Sequence, residues 1–136
     1  MKISKVFGYQ VLDSRGRPTV AAAISLTDGS VHTARVPSGA STGRHEAKEL
    51  RDLGSKFAES FYAGLSVQQA VANINEKIAP KLVEEQIDLN LVDAQLIELD
   101  PSEDHHLLGA NATLAVSIAA CIVAVFGSAI GVNGAP

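Results

Sequence analysis

Charge is sparse in this chain and aromatic rings are sparser. Asp, Glu, Lys and Arg make up 19% of the 136 residues, aromatic residues 4%, and tryptophan is absent. With 11 basic against 15 acidic residues the net charge is −4. No basic stripe is available to grip nucleic acid or an anionic membrane surface. So few rings exclude a stacking platform for bases. The single cysteine, Cys121, excludes an internal disulfide and a Cys-rich zinc site, and it fits a reducing compartment such as the cytoplasm. No apolar leader opens the chain, because Lys2 and Lys5 are followed by Val6-Phe7-Gly8-Tyr9-Gln10.

What is present is apolar and rich in alanine. The hydrophobic share is 46%, which argues against disorder. The length suits one domain, able to bury about two-thirds of its unfolded surface. From Leu107 to Pro136 there is no charged residue. Asn111, Thr113, Ser117, Ser128 and the lack of flanking Lys or Arg favour a buried helix there over a membrane span.

The first third has strand character. Ile3–Leu12 is apolar and uncapped, Asp13–Pro18 has turn chemistry, and Thr19–Leu26 is a second strand despite Ala21-Ala22-Ala23. Asp28-Gly29 signals a hairpin into Ser30–Val36. The remainder has helix character. Arg44–Asp52 is expected to be a short helix, and Ser66-Val67-Gln68-Gln69 has the form of a capping box. Val67, Val71, Ile74 and Ile78 then recur at helical spacing until Pro80 ends or kinks the helix. Leu89–Leu99 and a final helix from Asn111 to about Ile130 complete the chain. The fold class is α+β, a three-stranded antiparallel meander followed by a helical bundle.

Pro37-Ser38-Gly39-Ala40-Ser41-Thr42-Gly43 carries no large side chain and no charge. It is not a Walker loop, since Arg44 stands where Gly-Lys-Ser/Thr is needed. On spacing alone it is an ordinary connection or a mobile lid, with the connection favoured. His45-Glu46 lacks the second histidine of a zincin, because that position is Glu49. His105-His106 lacks a third ligand and is read as surface. Asp13-Ser14-Arg15 is either a small polar cluster or an Asx-turn. Cys121 is expected to be buried and inert. The residues alone show no acid–base pair.

Several motifs in one order resemble the N-terminal domain of the enolase family. They are Leu12-Asp13-Ser14-Arg15-Gly16, Pro18-Thr19-Val20, the loop Pro37–Gly43, His45-Glu46-Ala47, Glu49-Leu50-Arg51-Asp52 and Leu108-Gly109-Ala110-Asn111-Ala112. The resemblance runs from about Ile3 to Ala120. It implies that residues 1–136 are a cap domain whose partner is a catalytic barrel absent from this chain. It also implies the Mg²⁺-dependent lyase reaction of glycolysis, which interconverts 2-phosphoglycerate and phosphoenolpyruvate. The base and acid would lie in the barrel. The cap would supply a lid, Ser38, Gly39, Ala40, Ser41, Thr42 and Gly43, with Ser41 as a Mg²⁺ ligand and His45 as a further candidate. A cytoplasmic homo-oligomer is implied, with neither nucleic acid nor a membrane span.

The chain departs from the family pattern at Arg17 (usually Asn) and at Ala21 (usually a Glu of the dimer interface). It departs again at Ala63–Val67, at Pro101–His106 and in its more apolar last helix. A second reading is therefore a stand-alone, non-catalytic interaction module derived from the cap. Self-association is expected through the segment around Val125–Val132 rather than at Ala21.

Overall fold

The computed structural model describes residues 1–36, 49–52 and 65–127. Its sheet has strand order β1 (Ile3–Leu12), β2 (Pro18–Leu26), β3 (Val31–Arg35), all antiparallel. This is the expected meander. Asp13 Oδ1 accepts from the N–H groups of Arg15 (2.8 Å) and Arg17 (2.9 Å), so the Asx-turn reading holds for the first connection. Asp28 builds the second, accepting from the N–H and hydroxyl of Ser30. A register shift at Ser4 places both Ile3 and Val6 on the inner face, although they are three residues apart.

The inner face carries Ile3, Val6, Val20, Ala22, Ile24, Leu26 and Ala34, all buried. Strand propensity did not favour Ala21-Ala22-Ala23. The strand forms because burial decides: Ala21 and Ala22 are fully covered in the central strand. The last helix, α4 (Ala110–Ile122), lies on β2 and β3. It buries Asn111, Ala112, Ala115, Val116, Ala119 and Ala120, so small side chains line both sides of the contact.

Between sheet and last helix come α1 (Gln68–Asn73), a widened π turn (Ile74–Ile78), α2 (Ala79–Leu82) and α3 (Leu89–Leu99). Pro80 does not end the helix outright. Its ring would crowd the carbonyl one turn back, and the helix widens just before it, with Ala79 N–H donating to Ile74 C=O. α3 starts where Asp88 accepts from the N–H groups of Asn90 (2.9 Å) and Leu91 (3.3 Å). It stops at Asp100, ahead of Pro101, as expected. The capping box expected at Ser66 is replaced. Asp52 caps α1 from outside, its two oxygens each 2.9 Å from the N–H of Gln68 or Gln69.

The expected helix over Arg44–Asp52 is not formed in its described part, Glu49–Asp52. Leu50 and Asp52 are committed to partners elsewhere, as set out below. Residues 44–48 lie outside the described residues. Cys121 is exposed, not buried. The last helix is apolar on every side, so composition could not say which side faces the core. The covered positions recur at Ala112, Ala115, Val116, Ala119 and Ala120, while Leu114, Cys121 and Val125 share the uncovered stripe. Val125 and Phe126 are exposed as expected, and the rest of the expected self-association segment lies outside the described residues. No helix among the described residues is long and apolar enough to cross a membrane.

The outer edge of β1 is closed by neighbouring segments. Ile3 pairs with Glu84 and Glu85, and Asn75 bridges Gly8 by accepting from its N–H (2.8 Å) and donating to its carbonyl (3.1 Å). Gly8 is required there, since a Cβ would lie 2.8 Å from Cβ of Ile74. Gly8→Ala is therefore expected to destabilise the domain by about 1–3 kcal/mol, the usual cost of overpacking. Urea unfolding would show a lower midpoint at unchanged slope. An unchanged midpoint would mean that Ile74 yields freely.

Asp100 organises the turn between α3 and α4. Burial alone would raise its pKa, but the Leu108 N–H and the Ser102 hydroxyl and N–H donate to the carboxylate and together hold it below its ordinary 3.8. Its stabilising contribution is complete above the unfolded-state value and is lost as pH falls through 3.8 and below. Asp100→Asn should flatten the fall in urea midpoint below about pH 4. A variant losing stability as steeply as the parent would assign that acid sensitivity to other groups.

Candidate functional site

The small-residue stretch Pro37–Gly43 and His45 lie outside the described residues. The site that can be built is therefore the pair of chain ends on which that stretch is mounted. At the near end Val36 is buried and leaves the sheet under restraint. Its N–H donates to Val20 C=O (2.9 Å) and its own carbonyl accepts from the Thr19 hydroxyl (2.5 Å). Thr19 belongs to the Pro18-Thr19-Val20 motif, so that motif fixes where the stretch begins.

The far end, Glu49–Asp52, is held residue by residue. Leu50 exchanges two hydrogen bonds with the side chain of Asn111: its N–H donates to Oδ1 (3.0 Å) and its carbonyl accepts from Nδ2 (3.0 Å). Arg51 forks onto Glu49, 3.2 Å from each carboxylate oxygen, and its remaining Nη1 donates to the carbonyls of Pro18 and Leu65, both at 2.6 Å. Asp52, fully buried, caps α1 and donates its own N–H to Ser66 C=O (2.9 Å). Gly109 makes room for this junction, because a Cβ on it would lie 2.6 Å from the Cβ of Leu50. Its φ of +94° is also one that side-chain-bearing residues rarely adopt.

Both ends therefore rest against one small region. Arg51 ties the far end to Pro18, and Thr19, the next residue, ties down the near end. Sequence reasoning picked out the loop and missed these supports, Thr19, Arg51, Asp52 and Asn111. All four act across sequence separations of 16 residues or more, up to 61 between Leu50 and Asn111, so no local spacing could reveal the pairing.

The other candidates do not assemble into a catalytic group. Asp13 is spent on its turn. His106 is exposed and pairs with Asp104 at 2.7 Å, as a surface residue should. His105 is instead half-buried, with φ of +54° and its Nδ1 covered. It borders a cavity of about 370 Å³ between α3 and α4, with Leu96, Ile97 and Leu114. The carboxylate there, Asp93, already accepts from Ser117 at 2.9 Å. Among the described residues no three His, Cys, Asp or Glu side chains come together in a way that could hold a metal ion. Of the two departures inside the sheet region, Arg17 takes part in the first turn through its backbone, and Ala21 is fully buried between its cross-strand neighbours Tyr9 and Arg35.

Residues 3–130 match the family model described as Enolase, N-terminal domain. A protein named Enolase from Anaplasma phagocytophilum (strain HZ) is 50% identical over 119 residues, covering 87% of this chain and 27% of that protein. Its counterpart from Mycoplasma pneumoniae (strain ATCC 29342 / M129 / Subtype 1) is 51% identical over 119 residues, 87% of this chain and 25% of that protein. The Enolase of Mycoplasmoides gallisepticum (strain R(low / passage 15 / clone 2)) is 50% identical over 122 residues, 89% of this chain and 25% of that protein. The chain thus spans about a quarter of the length of these curated relatives. With the meander, the helices behind it and the family match over residues 3–130, the chain belongs to the enolase N-terminal domain family.

Proposed function

We propose that this chain is the cap of an enolase, the lyase that interconverts 2-phosphoglycerate and phosphoenolpyruvate by loss or gain of water. The observation that carries this reading is the anchoring of both ends of the small-residue stretch by motif residues, Thr19 at one end and Leu50, Arg51, Asp52 and Asn111 at the other. A closing loop needs small residues that can rearrange and ends that do not. In this reading Pro37–Gly43 closes over substrate and excludes water, and Ser41 contributes oxygen to a Mg²⁺ ion. His45 follows the loop as a further candidate.

A serine hydroxyl and carbonyl are hard oxygen donors of the kind Mg²⁺ takes. One loop serine is far short of the six ligands the ion takes, and the described residues gather no acidic cluster to complete the set. The remaining ligands, with the base and the acid, would come from a barrel partner domain. With Ser41 among its holders, a bound Mg²⁺ would supply electrostatic stabilisation of the negative charge that develops on the substrate when its proton is removed. The cap's part is to position the loop and shut out solvent. The proposal includes a cytoplasmic homo-oligomer, and the exposed Val125 and Phe126 are apolar surface suited to contact with another domain or subunit.

Two measurements test it. The 136-residue chain alone should give no phosphoenolpyruvate from 2-phosphoglycerate at saturating Mg²⁺, because in this reading the base and the acid belong to the barrel. Turnover above a contaminant control would overturn the division of labour. In an enzyme joining this cap to a barrel, Ser41→Ala should raise the Mg²⁺ needed and cut turnover by roughly 10–100-fold, the scale of lost supporting metal contacts. Ser38→Ala should cost less. Equal losses at the two serines would place the metal contact elsewhere in the loop.

A further inference from the structure

Asn111 is buried and makes three hydrogen bonds that serve two segments. Its Oδ1 accepts from Ala112 N–H (3.1 Å), within the first turn of its own helix, and from Leu50 N–H (3.0 Å). Its Nδ2 donates to Leu50 C=O (3.0 Å). The last two bonds reproduce, from one side chain, the donor–acceptor pair that a neighbouring strand would offer Leu50. Such a pair defines register, because a slip of one residue would take both Leu50 groups away from Asn111 and cost the buried Nδ2 its acceptor. Gly109 permits this close approach, since a Cβ on it would lie only 2.6 Å from Cβ of Leu50 and 2.7 Å from Asn111 Oδ1.

We propose that Asn111 is a positioning residue that sets the register in which the chain re-enters the domain after residues 37–48. It makes the far end of the small-residue stretch one body with the N-terminus of α4. The consequence for catalysis rests on the lid reading above; the register itself does not.

Asn111→Asp isolates the effect. It keeps both acceptor bonds at Oδ1 and replaces the donor Nδ2 with an oxygen facing the Leu50 carbonyl. The comparison is Asp88→Ala, which removes the cap of α3 and so lowers stability without touching Leu50. Under limiting trypsin, Asn111→Asp should speed cleavage after Arg44 and Lys48 roughly tenfold relative to cleavage after Lys77 and Lys81, the scale of one lost buried hydrogen bond. Asp88→Ala should raise all sites alike. Equal relative rates in the two variants would overturn the proposal. Should Asn111→Asp fail to fold, the unaltered chain still decides. Its Leu50 amide should exchange hydrogen roughly a hundredfold or more slower than an unstructured peptide, and exchange at the peptide rate would overturn the proposal. Failure of the lid reading has its own signature. In a cap joined to a barrel, Mg²⁺ with phosphoenolpyruvate would leave cleavage after Arg44 unslowed, while the Asn111→Asp result stood.

Discussion

A buried backbone N–H or C=O outside a ladder or helix must still find a partner, and this domain meets that requirement with side-chain amides and carboxylates. Asn75 serves Gly8, Asn111 serves Leu50, and Asn73 donates to Leu108 C=O at 3.0 Å. Asp52 serves the start of α1, and Gln10 accepts from Val67 N–H at 2.9 Å just before it. Asp100 serves Leu108. Apart from the Asn75–Gly8 pair, which seals the outer edge of β1, these joints lie where the main chain passes from one layer to another. The layers are short elements that could not hold one another by ladders alone, so the relative placement of sheet, α1 and α4 depends on these polar side chains. A buried amide left without its partner is costly, and the same cost that makes such joints risky makes them specific.

This constraint explains the character of α4. The helix lies against two strands and bears α3 on another side, so its covered face must be small and apolar. Its polar contribution is concentrated at the N-terminus, where Gly109, Asn111 and Thr113 meet the segment around Leu50 and the turn from Asp100. The uncharged run from Leu107 onward is thus two things in sequence: a polar joint, then a packed helix whose uncovered stripe of Leu114, Cys121 and Val125 stays apolar. Hydropathy alone blends the two.

What could be read from the sequence follows the distance over which each signal acts. Both strand connections were legible because Asp13 and Asp28 cap turns made of their own neighbours. The bounds of α3 were legible because its periodic run is broken at Asp100-Pro101. The start of α1 was misassigned to Ser66 because the real cap, Asp52, lies 16 residues back and reaches in across space. The short helix expected through Asp52 is not formed over Glu49–Asp52 for the same reason, since Leu50 and Asp52 are bound to partners that local propensity does not see. Cys121 was misplaced because an apolar helix without a polar face carries no phase information. The family was legible only as resemblance. Glycine spacing in Pro37–Gly43 does not distinguish a lid from a connection, and the order of the motifs identifies the family alone.

Those motifs divide by role once the structure is at hand. Asp13, Thr19, Arg51, Asp52, Gly109 and Asn111 are framing residues, and none of them is free to meet a ligand with the groups it has committed. The serines and threonine of the stretch between the frames are small, uncharged and interspersed with glycine. A loop of that kind gains precision only from its mountings, because its own side chains are too small to pack it into place. Among the described residues, much of the buried polar chemistry lies in the mountings. Under the proposed lid reading, such mountings would suit a part that delivers oxygen atoms to a reaction centre in another domain.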